Sequence, residues 1–216
     1  MDEIFPIVDE NGNITGSATR KECHSGSKLL HPVVHLHILN EQRDALFLQK
    51  RALNKDIQPG KWDTAVGGHV DLGENIHIAL RRETREELGL IDFTPQHIIS
   101  YVFESEIERE LVNTFTTTVN PDTTNFVIDE NEISEGRFWP LHEIDSNLGK
   151  GVFTPNFEQE YQRILPQLRE QRNEQYCQLY DSLFHNFLRF CKKGSPVSWH
   201  RVNNTQRTLS HVAAGS

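Results

Sequence analysis

The chain has 216 residues, of which 36% are hydrophobic and 25% are charged, and its net charge at pH 7 is −9. This length suits one well-buried α/β domain with an appendage, and no run of about 18 apolar residues is present that could span a membrane. The acidic balance argues against a nucleic-acid-coating protein, because such binding requires a basic surface. A small anionic substrate fits the composition if the chain supplies a local basic patch.

The cysteines and the first residues both indicate an intracellular protein. Cys23, Cys177 and Cys191 are scattered, without the spacing of a metal-binding pair, which indicates free thiols in a reducing compartment. The start of the sequence is acidic where a secretory signal would be basic, and it lacks a long apolar core. We therefore expect a cytoplasmic protein with no membrane partner.

The first predicted elements are a β-hairpin and a strand. Short apolar runs at Ile4–Val8 and Ile14–Thr19 flank a dense turn signal, which predicts the hairpin. Residues 20–32 are polar and turn-like. Apolar residues then alternate with His35 and His37, the period-two pattern of a half-buried strand, and we expect these two histidines to form a row facing solvent or a groove.

Two further strands precede the longest helical pattern of the first half. Residues 46–51 read as a strand that ends in a basic cluster, and residues 58–62 read as a turn. A strand is then predicted over Asp63–Val70. Its glycine pair, Gly67 and Gly68, would let the backbone approach a ligand closely.

A helix is predicted from Glu74 to Leu88. An apolar-facing stripe recurs every four residues, and Gly89 follows as a C-terminal cap; the stripe consists of Ile76, Leu80, Thr84 and Leu88. Three carboxylates share one flank of this helix, because positions three and four apart are neighbours on a helix surface; they belong to Glu83, Glu86 and Glu87. Like charges so close repel unless a hard cation gathers them, and Mg²⁺ or Mn²⁺ suits such oxygen ligands. Arg82 lies four positions before Glu86 and could orient it.

The second half continues with strands and ends in helices. Strands are predicted at Ile98–Glu104, Glu110–Val119 and Gly136–Trp139, with a long loop from Asn120 before the last of them. A short helix over Leu141–Leu148 follows Pro140, which suits a helix start.

The residues after 154 are predicted to lie outside the core domain of residues 1–154. Residues 155–193 read as a helical extension whose leucine and aromatic stripe indicates contact with the core or with a second copy in a homodimer. Pro166 should kink this helix or start a second one. Residues 194–216 are polar, and we expect a disordered tail.

The helix and the loop before it carry a family resemblance. The spacing of Gly68, Glu74, Arg82-Glu83, Arg85, Glu86-Glu87-Leu88 and Gly89 resembles the Nudix box. One position departs from the pattern, because Thr84 stands where the family usually has an aliphatic residue. The resemblance implies an α/β/α sandwich around a mixed sheet. It also implies that Glu83, Glu86 and Glu87 bind Mg²⁺ or Mn²⁺, that Arg82 orients one of them, and that Glu74 has a mainly structural role.

A longer stretch, about residues 3–165, resembles one branch of this superfamily, the type I isopentenyl-diphosphate isomerases and their hydrolase-like relatives. In that branch the residues matching Arg51 and Lys55 bind diphosphate, and Gly68 belongs to the same shared segment. The isomerases carry a catalytic cysteine where this chain has Gly67, and they have commonly lost the carboxylate that is retained here at Glu83. Both departures favour hydrolysis.

The expected function is therefore metal-dependent hydrolysis of the diphosphate linkage in a nucleoside diphosphate derivative or a related organic diphosphate. The alternatives are an isomerase-like enzyme and a non-catalytic Nudix module that senses a ligand. The general base varies within the family. Glu132 and Glu135 are candidates, against the alternative that both are solvated turn residues.

The resemblance also implies a second metal site. In the isomerases three histidines and two glutamates bind one transition-metal ion, and the matching positions here are His24, His31, His69, Glu108 and Glu110. Imidazole and carboxylate ligands together suit Zn²⁺, Mn²⁺, Fe²⁺ or Co²⁺. The alternative is that His24 and His31 lie in a surface loop and that His69 only lines the substrate cleft.

Overall fold

The structure is a computed structural model that describes residues 3–55 and 57–192. Its strands are Ile4–Val8 (β1), Ile14–Thr19 (β2), Leu30–Asn40 (β3), Ala45–Arg51 (β4), Trp62–Asp63 (β5), Val66–His69 (β6), Gln96–Glu104 (β7), Arg109–Val119 (β8) and Ile133–Pro140 (β9). Its helices are Arg20–Cys23 (α1), Ile76–Leu88 (α2), Leu141–Asn147 (α3) and Pro155–Lys192 (α4). The predicted tail at 194–216 lies outside the described residues.

A central mixed sheet organises these elements. Its strand order is β5-β4-β3-β8-β7, while β6 pairs with β3 and β9 pairs with β4. The pairing of β3 with β8 is parallel and the other pairings in this sheet are antiparallel. Strands β1 and β2 form a separate antiparallel hairpin. The predicted N-terminal hairpin and the mixed α/β architecture are confirmed.

Each face of the sheet is covered by helix. On one face the buried side of α2, which includes Leu80 and Leu88, packs against Leu36 and Phe115. On the other face α3 and the start of α4 pack against Leu46 and neighbouring residues, with Phe157, Tyr161 and Ile164 fully buried. Burying apolar side chains on both faces gives the predicted three-layer α/β/α sandwich.

Strand β3 lies in the middle of the sheet, with β8 along one edge and β6 and β4 along the other, and helices cover both of its faces, so that it is almost entirely buried. The predicted half-buried strand is therefore longer and deeper than expected. The expectation that both histidines face solvent or a groove is wrong for His37, which is fully buried. A parallel pairing sealed by helices buries both faces of a strand, which alternation in the sequence cannot indicate.

Local details also differ from expectation. Residues 20–23 form the short helix α1, which Thr19 and Glu22 begin with a reciprocal capping box. The strand predicted over Asp63–Val70 is divided into β5 and β6. Helix α2 begins after Asn75, whose side chain caps it, and ends at Gly89 in the left-handed conformation (φ 64°), as predicted.

Helix α4 continues through Pro166, so no second helix starts there. The chain divides into two compact units after Arg172, so the first unit includes the beginning of α4. The boundary expected at residue 154 stays a prediction. In the second unit several large apolar side chains are exposed, namely Tyr176, Leu179, Tyr180, Leu183 and Phe184.

Strand β9 offers a test of the packing over the sheet. A Cβ added at Gly136 would lie 2.5 Å from Cζ of Phe47, a buried ring that packs between Phe126 and Phe138. We predict that Gly136→Ala lowers the free energy of unfolding by about 1–3 kcal/mol, because an overpacked core must shift. Gly16→Ala on β2 is the control, since its Cβ would meet nothing within 4 Å. Equal urea midpoints for both variants would contradict this.

Candidate active site

One cavity of about 1170 Å³ contains residues from nearly every part of the predicted site. Its lining comes from the hairpin and α1, from β3, β4 and β6, from α2, from the β7–β8 turn and from the start of α4. The three glutamates of the box, Glu83, Glu86 and Glu87, all face it. The sheet thus gathers segments that are distant in the sequence around a single polar space.

Arg82 fixes the geometry of the box. Its Nε and Nη2 atoms donate hydrogen bonds of 2.9 Å to the two carboxylate oxygens of Glu74, and Nη2 also donates to the carbonyl of His69 at 3.0 Å. Its Nη1 atom donates to Glu83 at 2.8 Å and to Glu86 at 3.3 Å. This fork-to-carboxylate pairing is the strong, directional form of a charged hydrogen bond. Glu74 thereby holds Arg82 in the orientation in which it contacts Glu83 and Glu86.

The box carboxylates have different environments. Burial raises the pKa of Glu87 well above its ordinary value, and the nearby charge of Glu83 adds to this; the side chain of Gln49 donates a 3.0 Å hydrogen bond to Glu87. Burial also raises the pKa of Glu83, against the opposing charge of Arg82. The side chain of Glu86 is about half exposed (51%). Two desolvated carboxylates that repel each other form a site that a divalent cation would stabilise.

Gly68 is required by the close approach of Glu83. A Cβ at this position would lie 2.1 Å from the carboxyl carbon of Glu83 and 2.3 Å from its Cγ. Strand β6 and helix α2 therefore meet at a point where only a glycine leaves room for the carboxylate. The glycine's role in the predicted box is steric.

The basic residues expected to bind substrate line the same cavity. Arg51 lies 3.5 Å from a carboxylate oxygen of Asp63, and Lys55 forms an ion pair with Glu132. Of the two candidate bases, Glu132 lines the cavity and Glu135 is not among its lining residues. Glu135 pairs instead with Lys50 at 3.7 Å and is half exposed.

Four of the five residues expected at the second metal site come together. The potential ligand atoms of His24, His31, His69 and Glu110 all lie within 4.8 Å of one another. The Nε2 atoms of His24 and His69 are 3.2 Å apart. Glu108 lies outside this group, although one of its oxygens is 3.6 Å from Nε2 of His24.

The surroundings of this cluster favour the neutral form of its histidines. Burial lowers the pKa of His24, His31 and His69, and the positive charge of Arg20 lowers each further. His31 donates a 2.9 Å hydrogen bond from Nδ1 to the carbonyl of Leu29, so Nε2 carries the lone pair of the neutral ring. This Nε2 atom is buried and has no hydrogen-bond partner among the described residues. Burial raises the pKa of Glu110 to about 7. A cation held by these atoms would offset the cost of burying them.

Several cavity residues were not identified from the sequence. Gln49, Asp63 and Arg20 sit in segments whose patterns indicate only strands or turns.

Glu160 of α4 is fully buried and binds His35 and His37, which are more than 120 positions away in the sequence. The alternating histidines were a signal for this contact, but nothing in the helical pattern of residues 155–168 identified the partner.

Comparison with known proteins agrees with this geometry. The NUDIX domain family matches residues 29–161, which is more than half of the chain. The chain therefore belongs to the Nudix family, and the hydrolases of that family are among its relatives.

Two relatives show the range of the family around this chain. The Nudix hydrolase lmo0368 of Listeria monocytogenes is 30% identical over 161 residues, which cover 72% of this chain and 90% of the relative. An isopentenyl-diphosphate Delta-isomerase of Aliivibrio fischeri is 24% identical over 180 residues, which cover 79% of this chain and 99% of the isomerase. The predicted resemblance to both groups is confirmed.

Solved structures support the fold. DR0079 from Deinococcus radiodurans superposes with a TM-score of 0.64 at 22% identity, covering 74% of this chain and 98% of that protein. A MutT protein from Methanosarcina mazei gives a TM-score of 0.54 at 24% identity, covering 64% of this chain. None of the helices within residues 3–55 and 57–192 combines the length and the apolar character that a membrane span requires.

The contact between Gly68 and Glu83 can be tested by a double-mutant cycle. We predict that Gly68→Ala destabilises the fold by about 1–3 kcal/mol, because the new methyl group displaces the Glu83 side chain. Adding Glu83→Ala should recover part of that loss, since it removes the clashing atoms. Gly67→Ala is the control, because its Cβ would meet only His35, at an ordinary 3.4 Å. Strict additivity in urea unfolding would disprove the contact.

Proposed function

We propose that this Nudix hydrolase cleaves the diphosphate linkage of a nucleoside diphosphate derivative or a related organic diphosphate, in a reaction that needs Mg²⁺ or Mn²⁺. The observation that carries the proposal is the placement of Glu83, Glu86 and Glu87 in one cavity with the basic side chains Arg51 and Lys55. Hydrolysis needs charge neutralised on the diphosphate and a water activated beside it.

The residues present fit a divalent cation at the box. Glu83, Glu86 and Glu87 would hold it, because all three offer oxygen ligands and burial makes the ionised forms of Glu87 and, even beside Arg82, of Glu83 costly. The bound ion would neutralise phosphate oxygens and lower the pKa of a water. Arg82 orients Glu83 and Glu86, and Gln49 orients Glu87.

Arg51 and Lys55, in the wall of the same cavity, would bind the diphosphate. Arg51 and Lys55 are paired with Asp63 and Glu132, so the binding of a diphosphate would exchange these partners for phosphate oxygens. Glu132 would then be released beside the substrate, which makes it our candidate for the general base. Its proximity to Glu87 supports this assignment, since Glu132 contributes to the raised pKa of that residue.

The isomerase alternative has less support in the site. Gly67 lines the cavity where the isomerases resembled by this chain carry a thiol, and it offers no proton-transferring group. We expect wild-type enzyme to release phosphate or nucleotide from at least one member of a panel of nucleotides, sugar nucleotides and prenyl diphosphates. Enzyme-dependent uptake of deuterium into isopentenyl diphosphate in D₂O, without hydrolysis of any member, would favour isomerisation.

Glu87→Gln separates catalysis from stability. We predict that kcat falls by about 100-fold or more at saturating Mg²⁺, because the substitution removes ligand charge. In metal-free protein the same change should raise the free energy of unfolding at pH 7, since the raised pKa of Glu87 means that its ionised form disfavours the fold.

The pH dependence of this gain in the free energy of unfolding follows from the raised pKa of Glu87. The gain should disappear as the pH falls below about 4.5, where the carboxyl is protonated in both the folded and the unfolded chain. Glu135→Gln, outside the cavity, is the control for both measurements. Wild-type turnover in the Glu87 variant would refute its assignment as a ligand.

We further propose that His24, His31, His69 and Glu110 hold a transition-metal ion such as Zn²⁺ or Mn²⁺, with Glu108 close enough to His24 to join after a small movement. Neutral imidazoles and the unpartnered Nε2 of His31 support this. Because the ligands come from the end of α1, which follows the hairpin, and from β3, β6 and β8, such an ion would tie the hairpin to the sheet.

The proposed transition-metal site can be tested by measuring the metal content of the purified protein. Protein purified without chelator should contain about one transition-metal ion per chain by elemental analysis, and His31→Ala should lose it together with thermal stability. His142→Ala, an exposed histidine on α3, should keep the ion. Absence of metal from the wild type after growth with supplemented Zn²⁺ and Mn²⁺ would refute the site.

The homodimer stays a prediction. Its supporting observation is the exposed apolar face of residues 176–184 in the second unit, which a symmetric partner could cover.

A further inference from the structure

His69 takes part in two different regions of the cavity. Its ring belongs to the histidine cluster of the proposed transition-metal site, where its Nε2 atom lies 3.2 Å from Nε2 of His24. Its carbonyl group accepts a 3.0 Å hydrogen bond from Nη2 of Arg82, whose Nη1 atom holds Glu83 and Glu86. One residue of β6 therefore contacts both the histidine cluster and the group that orients the box carboxylates.

The backbone of β6 lets the anchoring of the His69 ring affect the position of its carbonyl group. The strand has four residues, and Gly67 and Gly68 come directly before His69. Glycine has the widest choice of backbone conformations, so beyond its pairing with β3 this strand relies on the anchors at His69. The ring stacks on the fully buried ring of Phe5 in β1, with centroids 4.4 Å apart. Holding the ring more firmly would also fix the carbonyl group.

The N-terminal hairpin supplies a second connection between the two regions. In the loop between β6 and α2, the amide of Leu72 donates a 2.9 Å hydrogen bond to the carbonyl of Ile4 in β1. In the same loop the amide of Asp71 donates to Glu74 at 3.2 Å, and Glu74 in turn accepts from Arg82. An ion that ties the hairpin to the sheet would thus also hold the loop that supports Arg82.

We propose that His69 is a positioning residue that couples the two metal sites. When a transition-metal ion holds its ring, its carbonyl group is fixed against Arg82, and Arg82 then presents Glu83 and Glu86 to the divalent cation of the box. The coupling is reciprocal by thermodynamic linkage, so a cation at the box favours the ion at the histidine cluster by the same factor. The inference rests on the metal sites of the proposed function.

The sign of the coupling distinguishes positioning from the repulsion between two ions. Repulsion between cations in one cavity would weaken the binding of the second ion. Glu110 belongs to the histidine cluster and Glu108 lies 3.6 Å from His24, so their charges would offset most of a divalent charge there. Positioning acts in the opposite direction, because carboxylates that are already held lose less conformational freedom on binding. We therefore expect each ion to strengthen the binding of the other.

The test is the Mg²⁺ dependence of thermal unfolding, measured with and without Zn²⁺. Mg²⁺ prefers oxygen ligands and reports on the box, whereas Zn²⁺ suits the imidazoles. In wild type, one equivalent of Zn²⁺ should lower the Mg²⁺ concentration that gives half of the maximal rise in Tm by about fivefold or more. In His31→Ala, which lacks a ligand of the histidine cluster, Zn²⁺ should leave this concentration unchanged. A merely stabilising role for Zn²⁺ would raise Tm without changing it.

Arg82→Lys tests the route of the coupling. It keeps the positive charge, but a lysine cannot contact Glu74, Glu83 and the carbonyl of His69 at once. Zn²⁺ should still bind to this variant but should no longer change its response to Mg²⁺. Arg85→Lys, at an exposed arginine of the same helix, is the matched control and should behave as wild type. A full wild-type response in Arg82→Lys would overturn this route.

These measurements do not depend on turnover, so they separate the coupling from the hydrolase proposal. Equal or weaker Mg²⁺ binding in Zn²⁺-loaded wild type would overturn the coupling, and failure of the wild type to bind either ion would overturn it together with that metal site. Hydrolysis of no panel member by protein loaded with both ions would instead overturn the hydrolase proposal, while the binding measurements would still decide the coupling.

Discussion

The site depends first on one guanidinium group. Arg82 contacts Glu74, Glu83, Glu86 and the backbone of β6 at once, so it fixes the loop, the helix and the strand in one arrangement. Without it, the like charges of the box would repel and the partly buried Glu83 would have no counter-charge. Its fork geometry matters as much as its charge, because a lysine could not satisfy both oxygens of Glu74 and still reach Glu83.

Strand β3 connects the chemistry of the cavity to the core. It carries His31 at the histidine cluster, His35 at the cavity wall and His37 in the core, spaced by two or four residues along one face. The neighbouring strands complete each position, since β6 offers His69 and Gly67, and β8 offers Glu110 and Thr114. A single strand buried on both sides thereby aligns two candidate sites within a rigid sheet, which suits the precision that catalysis requires.

Some of the buried polar groups here have full sets of partners and others do not. Burial raises the pKa of Glu87 and of Glu110, and Thr64 keeps a buried hydroxyl without a partner among the described residues. Each of these costs folding free energy in the absence of a bound group. Glu160 differs, because His35, His37 and Thr114 all hydrogen-bond to it, and the two histidines hold its pKa well below the ordinary value in spite of burial. Glu160 therefore holds His35, which lines the cavity.

The sequence alone determined the elements and the box. The periods of apolar residues located most strands and helices, and the fixed spacing from Gly68 to Gly89 indicated the family, because local hydrogen bonding and side-chain periodicity are properties of short segments. Thr84 illustrates the limit of such patterns: it occupies an aliphatic position because its hydroxyl donates to the carbonyl of Leu80 at 2.6 Å. Only the tertiary structure decided that His37 is buried, that Glu160 holds His35, and that Thr64 and Asn156 line one cavity with the box. The contacts of Glu160 with His37 and His35 join residues 123 and 125 positions apart. They depend on the packing of α4 against the sheet and on the register of β3 with its neighbours, which no local pattern specifies.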